Sequence, residues 1–595
     1  MTQSVYKSVQ KGRVLVAAID FGTTYSGYAF SFRTDFENDP TKIYANTTWE
    51  SGSLQSLKTP TCVLLKSDKT FHSFGYDAEN KYSELANDEL HEDWYFFRRF
   101  KMLLHGEKLL NRTVLIQDES GKKSLPARTV FAHGIRFLKS CLLKELKTRG
   151  LDEILKEDEE IHWVLTVPAI WNDSAKQFMR EAAEEAGILM HNLSLALEPE
   201  AAALYCKVLP MERLEQGSSS NLSAFKPGMR YMILDLGGGT VDVTVQEVLE
   251  DNNLRELHKA SGGAWGGTYV DSAFLQVIIK LVGNPVIQKF KTSCMADDLE
   301  LTREFEIKKR TAGTQQNQKT TFKVPVALSE IFEEEYDGET LKESVQQSRY
   351  SGMLSWIGDK LRVNQSIVQE FFKHSFESIV EHIETLLNLK QCKGVDTLIM
   401  VGGYSECKML QDTIKQTFSS KRVIIPMEAG LAVVKGAVLF GHNPNVIVSR
   451  MTKFSYGVES TRDFEEGDSN DKRFIKYGRA KCKDSFSKHV TLNTSVPVGD
   501  PLEPQYYRPL DKDQTEVVVP IFISTKENPR YTTDADCQYL GKVEIKLSET
   551  PDSDEEKDIE VKMTFGGTEL YVEAKEVHSN KPCTAKFDFL SHHGD

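Results

Sequence analysis

Two glycine-rich turns, each directly after an apolar run that ends in an aspartate, constrain the fold of this chain most strongly. In the first, the apolar run 14–19 leads into Asp20 and Gly22. In the second, Ile233 and Leu234 lead into Asp235 and three consecutive glycines at 237–239. Each segment reads as strand, acidic residue, turn and second strand. The repeated pattern predicts two similar halves, each contributing one hairpin.

The chemistry of these turns is that of a phosphate cradle. Glycine allows positive φ and lets backbone N–H groups approach phosphate oxygens without a Cβ in the way. The hydroxyls of Thr23, Thr24 and Thr240 add donors. Because like charges repel, we expect Asp20 and Asp235 to hold a hydrated Mg²⁺ rather than to touch phosphate. One such turn alone is more often an ordinary hairpin, but the second copy, with Asp at the same offset, favours nucleotide binding.

The composition limits the classes of protein to which this chain can belong. The chain has 595 residues, of which 40% are hydrophobic, enough for several domains. Its formal charge of −14 disfavours nucleic acid as a principal ligand. The nine cysteines show no CxxC pair or metal-ligand spacing, which fits a reducing compartment. The polar segment 1–11 and the absence of a long apolar run lead us to expect a cytoplasmic protein without a membrane span.

The periodicity of the chain changes near residue 448. Before it, strands alternate with helices, which indicates an α/β core. One of those helices follows Pro168, and we expect Asp173 to be its N-cap. Beyond residue 448, short strands of period two predominate. The predicted organisation is an α/β domain at 12–443 with lobes of about 12–228 and 229–443, a linker at 444–450 and an all-β domain at 451–595.

Several motifs, in this order, resemble the 70-kDa heat-shock protein family, which is built on the actin-like ATPase fold. The matching residues are 19–26, 165–169, 172–173, 198–199, 201–203, 235–240, 242–243, 266–267 and 401–403. The aromatic segment 94–104, the turn 264–267 and the loop 402–405 look like the divergent branch of heat shock 70 kDa proteins 12A and 12B. The resemblance implies a two-lobed actin-like nucleotide-binding domain, of the duplicated ribonuclease H-like kind, with chaperone and stress-response functions.

The resemblance continues into the second domain. Residues 559–565 and 570–574 follow the pattern of a late hairpin in the family's peptide-binding β-sandwich. The β-domain is therefore expected to bind client or partner proteins. Because the chain stops at Asp595, we expect the helical lid of the family to be missing and lid-gated trapping of clients to be altered.

The resemblance also implies site residues and a cofactor, ATP or ADP with Mg²⁺. The metal is expected on Asp20 and Asp235 through water. The expected catalytic residues are Lys101, Glu198, Asp235, Thr240 and Asp242. The expected nucleotide-binding residues are Asp20, Gly22, Thr23, Thr24, Tyr25, Gly237, Gly238, Gly239, Thr240, Gly266, Gly267, Glu306, Lys309, Arg310, Gly402, Gly403 and Tyr404.

Two of the implied roles have simpler alternatives. Lys101 is implied to stabilise charge on the transferring phosphoryl group, while Asp242 orients the attacking water. Because Lys101 follows Arg98 and Arg99, an ordinary solvated basic face is an equal alternative. The family's adenosine-contacting helix, at 306–310, is alternatively an exposed face with i, i+3 and i+4 charge pairs.

Departures from the family pattern bear on mechanism. Glu200 stands where the family has threonine, and Arg450 ends a linker that is acidic in the family. In the adenosine loop, Tyr404 and Glu406 replace serine and arginine, and Gly430 replaces an acidic residue. These changes separate nucleotide binding from turnover, and the sequence leaves open whether ATP is hydrolysed.

Three functions remain open at this stage. The first is an ATP-dependent chaperone-like protein with slow hydrolysis coupled to the β-domain. The second is a nucleotide-gated scaffold without useful ATPase activity, which the altered adenosine loop favours. The third is a small-molecule kinase, since the same two-lobed fold serves sugar kinases, although the β-rich second domain argues against it.

Overall fold

The computed structural model describes residues 13–46, 48–51, 54–106, 110–150, 156–210, 225–312, 319–511, 514–547, 557–566, 569–577, 582–584 and 590. Within the first 210 residues the strands are β1 (Leu15–Phe21), β2 (Tyr25–Phe32), β3 (Tyr44–Ala45), β4 (Trp49–Ser51), β5 (Leu54–Ser56), β6 (Thr59–Pro60), β7 (Cys62–Leu65), β8 (Phe71–Phe74), β9 (Tyr95–Arg98), β10 (Leu115–Gln117), β11 (Ser124–Pro126), β12 (Ile161–Val167) and β13 (Leu193–Leu197). The helices are α1 (Arg33–Asn38), α2 (Tyr76–Asn87), α3 (Ala127–Thr148), α4 (Glu157–Glu160), α5 (Asp173–Glu185) and α6 (Glu198–Val208).

A second α/β part follows. Its strands are β14 (Arg230–Leu236), β15 (Val241–Val248), β16 (Leu254–Gly263), β17 (Thr320–Lys323), β18 (Leu354–Ile357), β19 (Lys360–Val363), β20 (Thr397–Val401) and β21 (Arg422–Ile424). Its helices are α7 (Gly267–Val282), α8 (Asn284–Ser293), α9 (Met295–Thr311), α10 (Val326–Glu335), α11 (Leu341–Gln347), α12 (Gln365–Asn388), α13 (Lys408–Thr417) and α14 (Ala432–His442).

The main sheets of these two parts share one topology. In the first, the order β13-β12-β1-β2-β3 places β13, β12 and β1 parallel and β2 antiparallel. In the second, β21, β20 and β14 are parallel and β15 is antiparallel. Every residue of β1 is buried, as expected for a central strand covered on both faces. The strands β1 and β14, which carry the two aspartates, therefore occupy equivalent positions.

Helices α6 and α14 pack against each other between the two main sheets. Their apolar side chains share one core with Val16 of β1 and Ile233 of β14. The helices approach so closely at Gly436 that a Cβ there would lie 1.7 Å from the backbone oxygen of Ala201. Glycine is therefore required at this crossing.

The predicted N-cap of α5 is wrong by one residue. Asn172 caps the helix, because its side-chain oxygen accepts a hydrogen bond from the Ala175 N–H at 2.9 Å. Asp173 is the first helical residue, where its carboxylate faces the positive end of the helix dipole. Asn and Asp are nearly equal as caps, so adjacent residues of these types leave the boundary ambiguous in sequence.

The remaining strands are β22 (Ile447–Met451), β23 (Ser455–Asp463), β24 (Arg473–Lys476), β25 (Arg479–Val490), β26 (Ser495–Pro497), β27 (Gln505–Tyr507), β28 (Glu516–Ser524), β29 (Cys537–Lys546), β30 (Ile559–Gly566), β31 (Glu569–Glu576) and β32 (Pro582–Thr584). They form a sheet β24-β25-β23-β28-β29 and a sheet β27-β30-β31-β32. One apolar core joins both sheets, with Ile521 and Val543 from the first and Val561 and Val572 from the second. Strands β22 and β26 instead extend the second main sheet, in which β22 pairs with β16 on one side and with β26 on the other.

No single helix in the described part of the chain is long and apolar enough to cross a membrane. The pair α7 and α8 reaches the required length and composition only when taken together, and the two helices meet at an angle of 112°.

The α6–α14 crossing yields a stability prediction. We expect Gly436→Ala to lower the free energy of unfolding by about 1–3 kcal/mol, because the methyl group forces two packed helices apart. Thermal unfolding followed by circular dichroism measures the change. Gly403→Ala is the matched control, since a Cβ at Gly403 meets no atom within 4 Å. Equal melting temperatures for the two variants would contradict the close crossing.

Candidate functional site

The two glycine-rich turns lie directly against each other. A Cβ on Gly238 would stand 2.1 Å from the Thr24 hydroxyl, and one on Gly239 would stand 2.7 Å from the Thr23 hydroxyl. The side chain of Met102 closes the same contact, with its sulfur 2.5 Å from a Cβ on Gly239. The glycines are thus required for the approach of one turn to the other, and the hydroxyls of the first turn face the backbone of the second.

In each turn, the first glycine lies too close to a carbonyl oxygen of the same turn to carry a side chain. A Cβ on Gly22 would lie 2.2 Å from the carbonyl oxygen of Tyr25, and one on Gly237 would lie 2.8 Å from that of Thr240. A third turn packs on the second, since the Gly266 and Gly267 N–H groups donate to the carbonyls of Gly239 and Gly237 at 3.2 and 3.3 Å. Three backbone segments therefore converge at one point.

Four acidic side chains surround these turns. Asp235 and Asp242 are directly opposed in the β14–β15 register, so both carboxylates project from the same face of the sheet. Burial and the neighbouring carboxylates raise the pKa of Asp235 well above its usual value. Burial likewise raises the pKa of Glu198 from 4.5 to about 7, with Asp20 and Asp242 contributing. The site concentrates negative charge in a region largely shielded from water.

Two lysines partly neutralise this charge. The Lys101 ammonium is 2.8 Å from Glu198 Oε1 and lies over the Trp171 ring at 5.1 Å from its centroid. Only 2% of Lys101 is exposed, so the solvated-face alternative is wrong for this residue. Lys58 is 2.5 Å from Asp20 Oδ2.

The neighbouring strand and loop fix two of the carboxylates in place. The Thr166 hydroxyl of β12 donates to the second Asp20 oxygen at 2.9 Å. Asp242 accepts the Ile170 N–H at 3.0 Å and a hydrogen bond from the Thr240 hydroxyl. Burial nevertheless raises the pKa of Asp242. Both carboxylates are therefore oriented before any ligand binds.

The charge of this group suits a hydrated divalent cation. Two ammonium groups are in direct contact with this group of four carboxyl groups. The raised pKa values of Glu198, Asp235 and Asp242 mean that ionising all four is unfavourable without a further cation. Oxygen ligands of this kind are those that Mg²⁺ prefers, usually with several waters retained. Within the described ranges, no three His, Cys, Asp or Glu side chains are close enough together to ligate a metal ion directly. The residues thus fit a metal held through water by Asp20 and Asp235.

Helix α9 contributes the predicted adenosine-side residues, and they are held in ion pairs. Lys309 lies 2.6 Å from Asp271 and 2.5 Å from Glu306, and it is largely buried. Arg310 pairs with Glu306 at 3.2 Å and lies over the Tyr25 ring at 5.4 Å from its centroid. The exposed-face alternative is therefore wrong for Lys309 and holds in part for Arg310, which is exposed.

The altered loop at 402–406 fits its surroundings. Gly402 has φ +83°, and a Cβ there would lie 2.6 Å from Asp235 Oδ1. The Tyr404 hydroxyl is 3.1 Å from Ser375 in a buried position. A Cβ on Gly430 would lie 3.0 Å from Glu406 Oε1. An acidic residue at 430 would thus place two carboxylates together, so the changes at 406 and 430 compensate each other.

Two other residues that were expected to depart from the family pattern, Glu200 and Arg450, contact each other. Arg450 of β22 forms a two-pronged ion pair with Glu200, of which the Nε–Oε1 contact measures 2.8 Å, and Glu200 is buried. The Met451 N–H donates to Glu256 at 2.7 Å, and Lys453 donates to the carbonyls of Ala169 and Trp171. The strand that leads into the C-terminal sheets is thereby tied to the loop that holds Asp242.

Comparison with known proteins decides the family. The family model described as Hsp70 protein matches residues 115–566. The chain belongs to the 70-kDa heat-shock protein family. It is 34% identical to heat shock 70 kDa protein 12B of Homo sapiens, over 97% of this chain and 91% of that protein. It is 32% identical to heat shock 70 kDa protein 12A of Homo sapiens, over 98% of this chain and 93% of that protein.

Chaperone protein DnaK of Endomicrobium trichonymphae is a more distant relative of this Hsp70-family chain, 23% identical over 50% of the chain and 42% of that protein. The resemblance to the family and to its 12A/12B branch is confirmed. The α/β architecture is consistent with the actin-like ATPase fold of Hsp70 proteins. The family model begins at residue 115 and leaves out the first glycine-rich turn, but the full-length relatives cover it.

Sequence reasoning missed several residues of this Hsp70-family site. Lys58 and Thr166 contact Asp20 from positions 38 and 146 residues away along the chain. Asp271, the partner of Lys309, was also missed, although its place one helical turn after Gly267 is a usable signal. The backbone N–H of Ile170 carries no sequence signal. Such contacts depend on how distant strands align.

The raised pKa values predict the pH dependence of stability. A carboxyl whose folded-state pKa is raised contributes stability at low pH that is lost as the pH rises through the raised pKa. For Glu198 this window runs from 4.5 to about 7. The melting temperature of the nucleotide-free protein is therefore expected to fall across this range.

We expect Asp235→Asn to flatten that fall, because it removes a second buried carboxyl whose pKa is raised well above its usual value, in part by Glu198. At about pH 7.5 the variant should melt about 2 °C or more above the wild type. Differential scanning calorimetry from pH 5 to 7.5 measures the difference, with the exposed Asp88→Asn as control. A lower melting temperature at pH 7.5 would contradict the charge excess.

Proposed function

We propose that this protein binds Mg–ATP between two lobes, hydrolyses it slowly and couples the nucleotide state to a C-terminal β-domain that binds protein partners. The lobes comprise residues of about 12–228 and 229–443, and the β-domain, a β-sandwich, comprises 451–595. The observation that carries the proposal is the convergence of two equivalent hairpins at one point between two sheets of matching topology. Three buried carboxylates, the partly buried Glu198 and a buried lysine lie at that point.

Phosphate binding follows from the paired turns. The Thr23 and Thr24 hydroxyls and the N–H groups of Gly238 and Gly239 supply donors for phosphate oxygens. Gly237 and Thr240 shape the turn instead, because the Gly237 N–H donates to the Thr240 carbonyl at 2.9 Å and the Thr240 hydroxyl donates to Asp242. A bound Mg²⁺ neutralises phosphate charge. Asp20 and Asp235 would bind this ion through water, and Lys58 and Thr166 orient Asp20 for that role.

Lys101, Glu198 and Asp242 supply the groups for slow hydrolysis. The ammonium of Lys101 offers positive charge to the transferring phosphoryl group, in a site where low water content strengthens the interaction. Asp242, fixed by the Ile170 N–H, orients the attacking water. Glu198, with a pKa of about 7, is able to accept a proton near neutral pH.

A variant at Lys101 separates binding from turnover. We expect Lys101→Met to slow single-turnover hydrolysis of ATP by about 100-fold or more while changing ATP affinity by less than about tenfold. Quench-flow measurement of ADP formation and isothermal titration with ATP give the two quantities on one sample. The exposed Lys122→Met is the matched control. Unchanged turnover in Lys101→Met would exclude the proposed role of Lys101.

A nucleotide-gated scaffold is the second candidate. The ion pairs among Lys309, Asp271 and Glu306 favour it, because they occupy the polar groups expected to contact adenosine. Saturable ATP binding with thermal stabilisation but no ADP formation in the single-turnover assay would select this function.

Coupling to the β-domain runs through β22. The Arg450–Glu200 pair joins β22 to the helix that begins with Glu198, and Lys453 holds the loop that orients Asp242. Burial lowers the pKa of Lys453 from 10.5 to about 8. A movement of β22 is therefore expected to change the position of the water-orienting carboxylate.

The ion pair gives a charge-swap test. Arg450→Glu places a third carboxylate beside Glu200 and Glu256, and we expect it to abolish the ATP-dependent change in hydrogen–deuterium exchange of residues 448–458. The double variant Arg450→Glu with Glu200→Arg restores the pair and should recover the change. If the single variant retains the full response, coupling does not run through this pair.

A further inference from the structure

The hairpin of β24 and β25 carries an unusual concentration of positive charge. Residues 472–488 contain seven Lys or Arg and one acidic residue, in a chain of net charge −14. The strands are joined by a tight turn at Tyr477 and Gly478, both with positive φ, as hairpin turns of two residues require. The hairpin is a defined structural element of the C-terminal sheet, and its charge opposes that of the whole chain.

The charges are arranged in a row on one face. Alternation places Arg479, Lys481 and Lys483 on the same face of β25. Lys476 stands directly opposite Arg479 in the register, so two cations face each other across the strands. Like charges in this position are destabilising. A row that costs stability in the folded chain points to a function outside the fold.

Part of the row is already neutralised. Lys476 pairs with Asp511 at 2.7 Å and Lys481 pairs with Asp463 at 2.8 Å. Arg479 and Lys483 are exposed and form no ion pair with another described residue, and Arg479 acts on Asp463 only at longer range. These two cations remain available to an external anion.

The same hairpin presents an open strand edge and exposed apolar groups. β24 is the end strand of its sheet and, within the described residues, pairs only with β25. Ile475 is 62% exposed and Tyr477 is 77% exposed. An open edge is a template for an added strand, with main-chain hydrogen bonds for affinity and side chains for selectivity.

We propose that β24 binds an extended acidic segment of a partner protein as an additional strand. The cations repel a second copy of the same edge, so self-pairing is disfavoured. Carboxylates of the partner are attracted by the same cations, of which Arg479 and Lys483 lie one strand away, across β24. Ile475 and Tyr477 contact apolar residues that alternate with those carboxylates. This inference rests on the proposed partner binding by the β-domain and names the chemistry of the partner.

Fluorescence anisotropy of the full-length protein with labelled peptides tests the proposal. The probes are short peptides of equal length in which Val alternates with Glu, Gln or Lys, and the Glu peptide N-methylated at alternate residues. We expect the Glu peptide to bind about tenfold more tightly than the Gln peptide, less tightly as NaCl is raised, and the Lys and N-methylated peptides not to bind.

Arg479→Glu with Lys483→Glu should remove the preference for the Glu peptide. Lys542→Glu with Lys546→Glu, on β29 at the opposite edge of the same sheet, is the matched control and should retain it. Equal affinity for the Glu and Gln peptides, unchanged binding in Arg479→Glu/Lys483→Glu, or saturable binding of anionic vesicles or oligonucleotides in place of the peptide would each overturn the proposal.

ATP titration of the same variants keeps this test separate from the nucleotide proposal. Arg479 and Lys483 lie outside the carboxylate site, so ATP affinity should be unchanged. Loss of peptide preference with intact ATP binding therefore concerns the hairpin alone, whereas absence of ATP binding in every variant concerns the proposed function.

Discussion

The excess of buried negative charge at the meeting point of the two hairpins is the constraint on which the rest of the structure depends. Asp20, Glu198, Asp235 and Asp242 are brought together by two sheets of the same topology, and among the described residues Lys58 and Lys101 are the cations in direct contact with them. Such an arrangement is unfavourable for the free protein and favourable for one that binds a cation with a phosphate ligand. The proposed function and the stability of the free protein therefore oppose each other at this point.

Four of the residues that were expected to depart from the family pattern lie in two neighbouring pairs in the folded chain. Glu406 and Gly430 are neighbours, so a carboxylate gained at one position is matched by the absence of one at the other. Glu200 and Arg450 form a buried ion pair between the nucleotide-side helix and the strand leading to the β-rich part. Positions that are far apart in sequence, 200 and 450 as well as 406 and 430, are thus neighbours in the folded chain.

Much of the fold was predictable because its signals are local. The apolar run, aspartate and glycines of each hairpin define strand, turn and strand, and their repetition predicted two similar halves. The roles of Lys58, Thr166 and Asp271 were not predictable, since these residues reach the site through strand alignment and helix packing over long separations. Burial excludes the solvated-face alternative for Lys101 and the exposed-face alternative for Lys309, and burial of a charged side chain is not a property of local sequence.

Isothermal titration of the protein with ATP, with and without Mg²⁺, tests the central claim most directly. The charge excess at Asp20 and Asp235 predicts saturable binding that is much tighter with Mg²⁺ than without it, and loss of this Mg²⁺ dependence in Asp20→Asn with Asp235→Asn. Binding that is equally tight without Mg²⁺, or no binding under either condition, would contradict the account.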